Sequence, residues 1–183
     1  NIDTTVMPNG VVYVVAKIYD AVGNFTYSPK QRYMCDNQGP EQVKNVKCIA
    51  VDGTTATLSW SDVSDDDISY FVVECKQSDG VWKSVSRTST NLGVNLSGLT
   101  PEHDYVYRVI GYDKRSNRGT PSEEITVTTL KDTICPKVTK ITPDPGYFKS
   151  EINLRFTAED DYRVKSIEIQ TSTDKESWKT VSE

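Results

Sequence analysis

The chain has 183 residues, with 21 Lys and Arg against 26 Asp and Glu, a formal net charge of −5. That acidic balance argues against nucleic acid, which needs a clustered basic face. The longest apolar run, Val11 to Ala16, is far short of the ~20 residues of a membrane-spanning helix.

A length near 180 permits one or two domains. The chain does not begin with Met, and no basic start followed by an apolar stretch is visible. For an exported protein, the expectation is then that the true N-terminus lies elsewhere. Thr, Val, Ser and Tyr dominate segments of alternating polarity, broken at short intervals by Gly, Pro, Asn and Asp. No stretch carries a 3.6-residue period. The expected class is all-β, with short strands in a sandwich.

In chain order, Val12, Val14, Ala16 and Ile18 alternate first, leading to Tyr19-Asp20 and Asn24. A run of seven strands is then expected over residues 39–131. Val46 and Cys48 mark the first, and Ala56, Leu58 and Trp60 the second. Phe71, Val73 and Cys75 mark the third, with Trp82 and Val85 on the next. Val94 and Leu96, then Tyr105, Tyr107 and Val109, then Ile125 and Val127 complete the set. A period close to 2 gives each strand one apolar face. Two such faces pressed together make a core.

Two internal matches organise the chain. Trp82-Lys83-Ser84-Val85-Ser86 recurs as Trp178-Lys179-Thr180-Val181-Ser182, 96 positions on. The same offset pairs Leu58 with Leu154, Trp60 with Phe156, Asp65 with Asp161, Phe71 with Ile167 and Val73 with Ile169. It also pairs Asp36 and Pro40 with Asp132 and Pro136. A shorter match, at an offset of 93, joins Tyr19-Asp20 and Asn24 to Tyr112-Asp113 and Asn117. The chain therefore reads as half, whole, half. Residues 1–38 form the C-terminal half of a sandwich repeat, 39–131 a complete domain, and 136–183 the N-terminal half of a further repeat. Each end piece alone would expose an apolar face and unpaired edges.

The segment Leu99-Thr100-Pro101-Glu102-His103-Asp104-Tyr105 resembles the corner and following strand of fibronectin type III domains. The resemblance implies an immunoglobulin-like β-sandwich in tandem modules. It places Tyr105 as the corner tyrosine, whose hydroxyl bonds back to upstream backbone. It places Trp60 as a core tryptophan and Pro40 near the opening proline. Cys75 departs from a usual aromatic, and Gly111 from a usual small residue such as alanine. The end pieces resemble the immunoglobulin-like repeats of bacterial surface proteins. This rests on Pro8-Asn9-Gly10 through Asp20-Ala21-Val22-Gly23-Asn24, and on Pro143 to Gly146, Ile152 to Ala158 and Asp160-Asp161.

Site chemistry is sparse. The single histidine, His103, falls in the corner turn, where a base beside a nucleophile is not expected. No glycine-rich phosphate loop or paired-His metal motif occurs. No catalytic, cofactor-binding or metal-binding residue is assigned, no cofactor is expected, and the chain is read as no enzyme. Cys35, Cys48, Cys75 and Cys135 are expected as free thiols, against the alternative of a bridge into a neighbouring domain. Asp62, Asp65, Asp66 and Asp67 lie between two strands and Asp113 opens a later loop, both at the pole where the chain enters near Asp36. A solvated acidic loop is the favoured reading. The alternative is a hinge stiffened by calcium, which takes about six to eight oxygens. Trp82 and Trp178 are read as strand packing, against stacking on sugar rings. The loop Lys114 to Thr120 carries Arg118-Gly119-Thr120, which lacks the Asp of an integrin motif. Asn24 and Asn95 open sequons that matter only in a eukaryotic source.

The resulting expectation is a non-catalytic structural spacer of a multidomain extracellular or cell-surface protein. Its partners would be neighbouring domains of the same polypeptide, with no nucleic acid and no membrane. The alternative is a recognition module for cell-wall or host polysaccharide, or for a host protein.

Overall fold

The computed structural model describes residues 2–61, 63–149 and 151–182, which carry fifteen strands and no helix. The first four are β1 (Gly10–Val14), β2 (Lys17–Tyr19), β3 (Phe25–Tyr27) and β4 (Gln31–Cys35). The central seven are β5 (Lys47–Val51), β6 (Thr55–Ser59), β7 (Ile68–Lys76), β8 (Trp82–Thr88), β9 (Gly93–Ser97), β10 (Asp104–Asp113) and β11 (Ile125–Thr128). The last four are β12 (Lys137–Thr142), β13 (Arg155–Glu159), β14 (Ile169–Thr171) and β15 (Lys179–Ser182). The seven central strands fall where the alternating segments predict them. They form a three-stranded sheet, β5-β6-β9, and a four-stranded sheet, β11-β10-β7-β8. The fold is an all-β, immunoglobulin-like sandwich.

The chain divides into two compact units, each built from several segments. One comprises residues 1–47, 58–94 and 106–126. Its core holds Val43, Leu58, Trp60, Phe71, Val73, Cys75, Tyr107 and Val109, all buried. Trp60 meets the Phe71 ring edge-on, with centroids 5.6 Å apart. Val72 and Ile110 are buried too, although alternation turns them away from Phe71 and Val109. A strand that reads apolar on both faces must be covered on both. The same unit holds the sheets β1-β4 and β2-β3.

The other unit comprises residues 48–57, 95–105 and 127–183. Ala56, Leu96, Leu99 and Val127 are its buried apolar residues. The backbone N–H of Thr100 donates to the Tyr105 hydroxyl at 2.8 Å, which is the corner expected from the sequence. Thr129 ties the same turn, its hydroxyl donating to Thr100 O at 2.6 Å and His103 O at 3.1 Å. His103 is an exposed turn residue. The sheets β12-β13 and β14-β15 also belong here.

The repeat recurs in strand register. In β7–β8, Cys75 faces Lys83, Glu74 faces Ser84 and Val73 faces Ser86. In β14–β15, Thr171 faces Lys179, Gln170 faces Thr180 and Ile169 faces Ser182. Every pair is displaced by 96, and the register slips at the same place in both. At the start of the chain, Tyr19 faces Phe25, as Tyr112 faces Arg118. That correspondence keeps the offset of 93.

Two strand details depart from simple alternation. The register slip in β7–β8 skips Val85, which is therefore exposed rather than facing the core. At the opening of the central domain the buried residues are Pro40 and Val43, whereas Val46 and Cys48 are half-buried. Asn45 takes a positive φ of 57°, which re-aims the chain between them. All four cysteines are free thiols: Cys35 and Cys75 buried, Cys48 half-buried and Cys135 exposed.

Candidate functional site

A polar cluster gathers around Asp113, at the end of β10. Asp113 Oδ1 accepts the backbone N–H of Arg115 at 2.8 Å and of Asn117 at 2.8 Å. Its Oδ2 accepts Asn117 Nδ2 at 2.7 Å. Burial pushes this carboxyl up. The Asn117 bonds, the Arg115 N–H and the Arg115 charge outweigh that, leaving its pKa below the ordinary carboxylate value.

The loop so fixed holds the chain segment entering the central domain. Asn117 Nδ2 also donates to Asp36 O at 3.1 Å. The Arg115 guanidinium lies 2.9 Å from Asp36 Oδ2 and 3.9 Å from Asp67 Oδ2. Thr120 N–H donates to Pro40 O, and Gln42 Nε2 donates to Pro121 O at 3.0 Å. At Gly39 a Cβ would stand 2.2 Å from Arg118 O, so only glycine allows this approach. Residues 36–42 are thus clasped by side-chain bonds at both ends and backbone contact between them.

Of the acidic residues singled out from the sequence, Asp67 and Asp113 come together with Asp36, with carboxylate oxygens within 4.8 Å of one another. Asp65 and Asp66 lie outside this group, and Asp62 lies outside the described residues. The backbone of the acidic loop is used instead: Lys114 N–H donates to Asp67 O and Lys114 Nζ to Asp66 O. A hydrogen bond with the Asp65 carboxyl raises the Asp67 pKa. Burial and the charges of Asp65, Asp113 and Asp36 push the same way. The cation that answers these carboxylates is Arg115, and both oxygens of Asp113 are engaged by N–H donors.

The same loop occurs once more. Asp20 Oδ1 accepts Val22 N–H at 3.0 Å and Asn24 N–H at 2.8 Å, and its Oδ2 accepts Asn24 Nδ2 at 2.9 Å. Ser116 (φ 67°) corresponds to Gly23 (φ 95°), so the left-handed position is kept as well. The Asn24 side chain lowers the Asp20 pKa, aided by the Val22, Asn24 and Gly23 N–H groups.

Sequence reasoning missed a second acidic group, Asp132, Asp160 and Asp161. Asp161 Oδ2 accepts the Thr54 hydroxyl at 3.1 Å. Asp160 Oδ1 accepts Tyr162 and Arg163 N–H, while its Oδ2 is shielded with no hydrogen-bond partner. The signal was available: the 96-residue offset carries Asp36 onto Asp132 and Asp65 onto Asp161.

The outer face of β11-β10-β7-β8 is sealed by stacked side chains. Arg108 lies 4.0 Å from the Trp82 ring centroid and bonds Glu74 at 2.7 Å. Glu74 also takes Arg118 at 3.3 Å. Tyr70 and Tyr112 stack at 4.8 Å, and Arg87 lies 3.5 Å over Tyr70. Trp82 therefore spends a ring face on Arg108, as the packing reading requires. Trp178, its counterpart, is exposed.

Residues 41–128 match the family model described as "Fibronectin type III domain". Three solved structures show what it resembles. A human fibronectin type III domain, from fibronectin type III domain containing protein 3, is 25% identical with a TM-score of 0.48, covering 54% of this chain and 93% of that one. The FN1–FN3 domains of chicken CNTN1 are 18% identical with a TM-score of 0.51, covering 69% and 45%. The FN5 domain of Drosophila Lar is 21% identical with a TM-score of 0.42, covering 51% and 99%. The CNTN1 likeness bears on the fold alone. Among curated proteins, none matches the chain. Domains of this family are commonly structural or interaction modules of multidomain proteins, and the fold is typically non-catalytic.

Proposed function

We propose that the chain is a structural spacer of an extracellular or cell-surface protein, holding neighbouring domains of the same polypeptide at a set distance and orientation. The carrying observation is the clasp on residues 36–42. A linker fixed by Asn117, Arg115 and the Gly39 contact transmits orientation, which a free linker does not. On this reading, residues 1–38 and 136–183 are parts of bacterial immunoglobulin-like or fibronectin-like repeats flanking the central domain. The sealed outer sheet face fits the same role, since its aromatic rings are spent on internal cations.

The test is backbone amide relaxation by NMR on the intact chain. Residues 36–42 should be as rigid as β10, and Asn117→Ala with Arg115→Ala should loosen them while β7 and β10 stay unchanged. Linker residues already mobile in the unaltered chain would defeat the proposal. The second reading, recognition of polysaccharide or a host protein, draws on the exposed aromatic group of Tyr19, Phe25 and Tyr27 on β2–β3. Retention of the chain on an immobilised glycan, lost on Tyr27→Ala, would favour it.

A further inference from the structure

The loop that grips residues 36–42 ends on a side chain that reaches away from them. Arg118 makes the closest approach, with its carbonyl oxygen 2.2 Å from where a Gly39 Cβ would stand. Gly119 is as tightly placed, since a Cβ there would meet Pro40 O at 2.6 Å. Both are backbone contacts, so their fit depends on where the Arg118–Gly119 backbone is held. One hold is the Gly119 N–H, which donates to Gly111 O at 2.9 Å. The other is the Arg118 guanidinium. Tyr112 of β10 faces Tyr70 of β7 on one side and Arg118 on the other, while Arg108 of β10 faces Glu74 of β7. The Arg118 side chain therefore crosses the outer face of β10 to reach the Glu74 carboxylate, at 3.3 and 3.4 Å from its two oxygens.

On the reading of residues 36–42 as a gripped linker, we infer that Glu74 is its positioning residue. Through Arg118 it sets the backbone against which Gly39 and Pro40 pack, so the outer sheet face governs how firmly the linker is held. Glu74 suits the role because it sits in the middle of β7 with its side chain only 14% exposed. A carboxylate so enclosed is costly to leave without its cations. Arg118 is 42% exposed, so it is fixed by what it bonds rather than by burial. Its planar fork of donors can engage both carboxylate oxygens from across a strand, which a lysine could not do.

Both partners depart from the internal repeat. At the offset of 96 Glu74 corresponds to Gln170, and at the offset of 93 Arg118 corresponds to Phe25 and Gly119 to Thr26. The Asp20 loop nevertheless makes the same three hydrogen bonds as the Asp113 loop. Building the loop therefore does not require an arginine at the position of Arg118. What the Glu74–Arg118 pair adds is the placement of the backbone that meets the linker.

The reporter is the Thr120 N–H, which donates to Pro40 O at 3.2 Å, followed by hydrogen exchange on the intact chain. Arg118→Ala keeps every backbone atom of the clasp and removes only the anchor. It should speed exchange at Thr120 about two- to fivefold, the size a half-exposed ion pair supports, while β7 and β10 exchange at the parent rate. Glu74→Gln should speed Thr120 to the same extent. The two changes combined should do no more than either alone, because Glu74 acts through Arg118. Arg87→Ala, which strips a cation from the same sheet face without touching Glu74, should leave Thr120 unmoved. Unchanged exchange in Arg118→Ala and Glu74→Gln overturns the inference. If Asn117→Ala with Arg115→Ala still speeds Thr120 in that case, the gripped linker stands without this anchor. Additive effects of the two changes, or an equal effect of Arg87→Ala, overturn it as well, since Glu74 would then act on the sheet as a whole. A Thr120 N–H that is unprotected in the unaltered chain would remove the grip on the linker itself.

Discussion

The central domain and the two ends of the chain carry the same pattern and reach different degrees of burial. Phe71 is 1% exposed and its counterpart Ile167 is 44% exposed. Val127 is 3% exposed, whereas Met34, 93 positions earlier, is 56% exposed. Strand positions, register and even the slip that skips Val85 recur, yet the interior does not. Alternation and turn chemistry suffice to set a strand pair, while a core requires a second sheet over it. The end pieces hold hairpins whose apolar faces lack that cover.

The largest expected effect sharpens this contrast at the tryptophan site. Trp60→Ala removes a side chain packed in a complete core and should cost about 3–5 kcal/mol in denaturant unfolding. Phe156→Ala, at the corresponding position, should move the main transition by no more than about 0.5 kcal/mol. Equal losses would mean that the C-terminal piece shares the central core and would break the comparison. Next in size is Tyr105→Phe. It deprives the Thr100 N–H of its acceptor without opening a cavity, and should cost about 0.5–1.5 kcal/mol by the same assay.

Smaller still is the outer-face stack. Arg108→Ala and Trp82→Ala should show a coupling of about 0.5–1 kcal/mol in a double-mutant cycle. Trp178→Ala should leave the central transition unmoved, because its ring is exposed and has no such partner among the described residues. A zero coupling for Arg108 and Trp82 would return Trp82 to the candidates for ligand stacking.

Legibility followed the same line. Period-2 segments marked all seven central strands, and Leu99 to Tyr105 marked the corner, because these features are local. Val43 and Ile110 escaped. Val43 precedes its strand, and Ile110 lies on the face alternation assigns to solvent, which only the sheet order and the Arg108–Trp82 layer cover. The clasp was half legible. Asp113 and Asp67 drew notice as acids, but the decisive groups are Arg115, Asn117 and Gly39, whose roles depend on a segment some 80 positions away. In the second acidic group, Asp132 and Asp161 are legible through the repeat as counterparts of Asp36 and Asp65, whereas Asp160 corresponds to Ser64 and carries no such signal.

The smallest effects concern two carboxyls of the same clasp that titrate with opposite sign. The Asp113 pKa is lowered in the folded chain, so its contribution to stability is fully present above the ordinary value of about 3.9 and is lost as pH falls through the folded value. The Asp67 pKa is raised by Asp65 and the neighbouring acids. The folded chain therefore holds that proton more tightly than the unfolded chain, and stability decreases as pH rises through the folded pKa. At neutral pH, Asp67→Asn should accordingly raise the melting temperature, with the gain fading as acid protonates Asp67 in the parent chain. Asp113→Asn should lower the melting temperature at neutral pH and flatten the acid limb. Asp20→Asn offers the comparison that isolates the clasp. It has the same three hydrogen bonds as Asp113, but its loop is exposed and clasps no linker, so its melting shift should be the smaller of the two. If Asp20→Asn matched Asp113→Asn, the loop bonds alone would account for the effect and the grip on Asp36 would contribute nothing measurable.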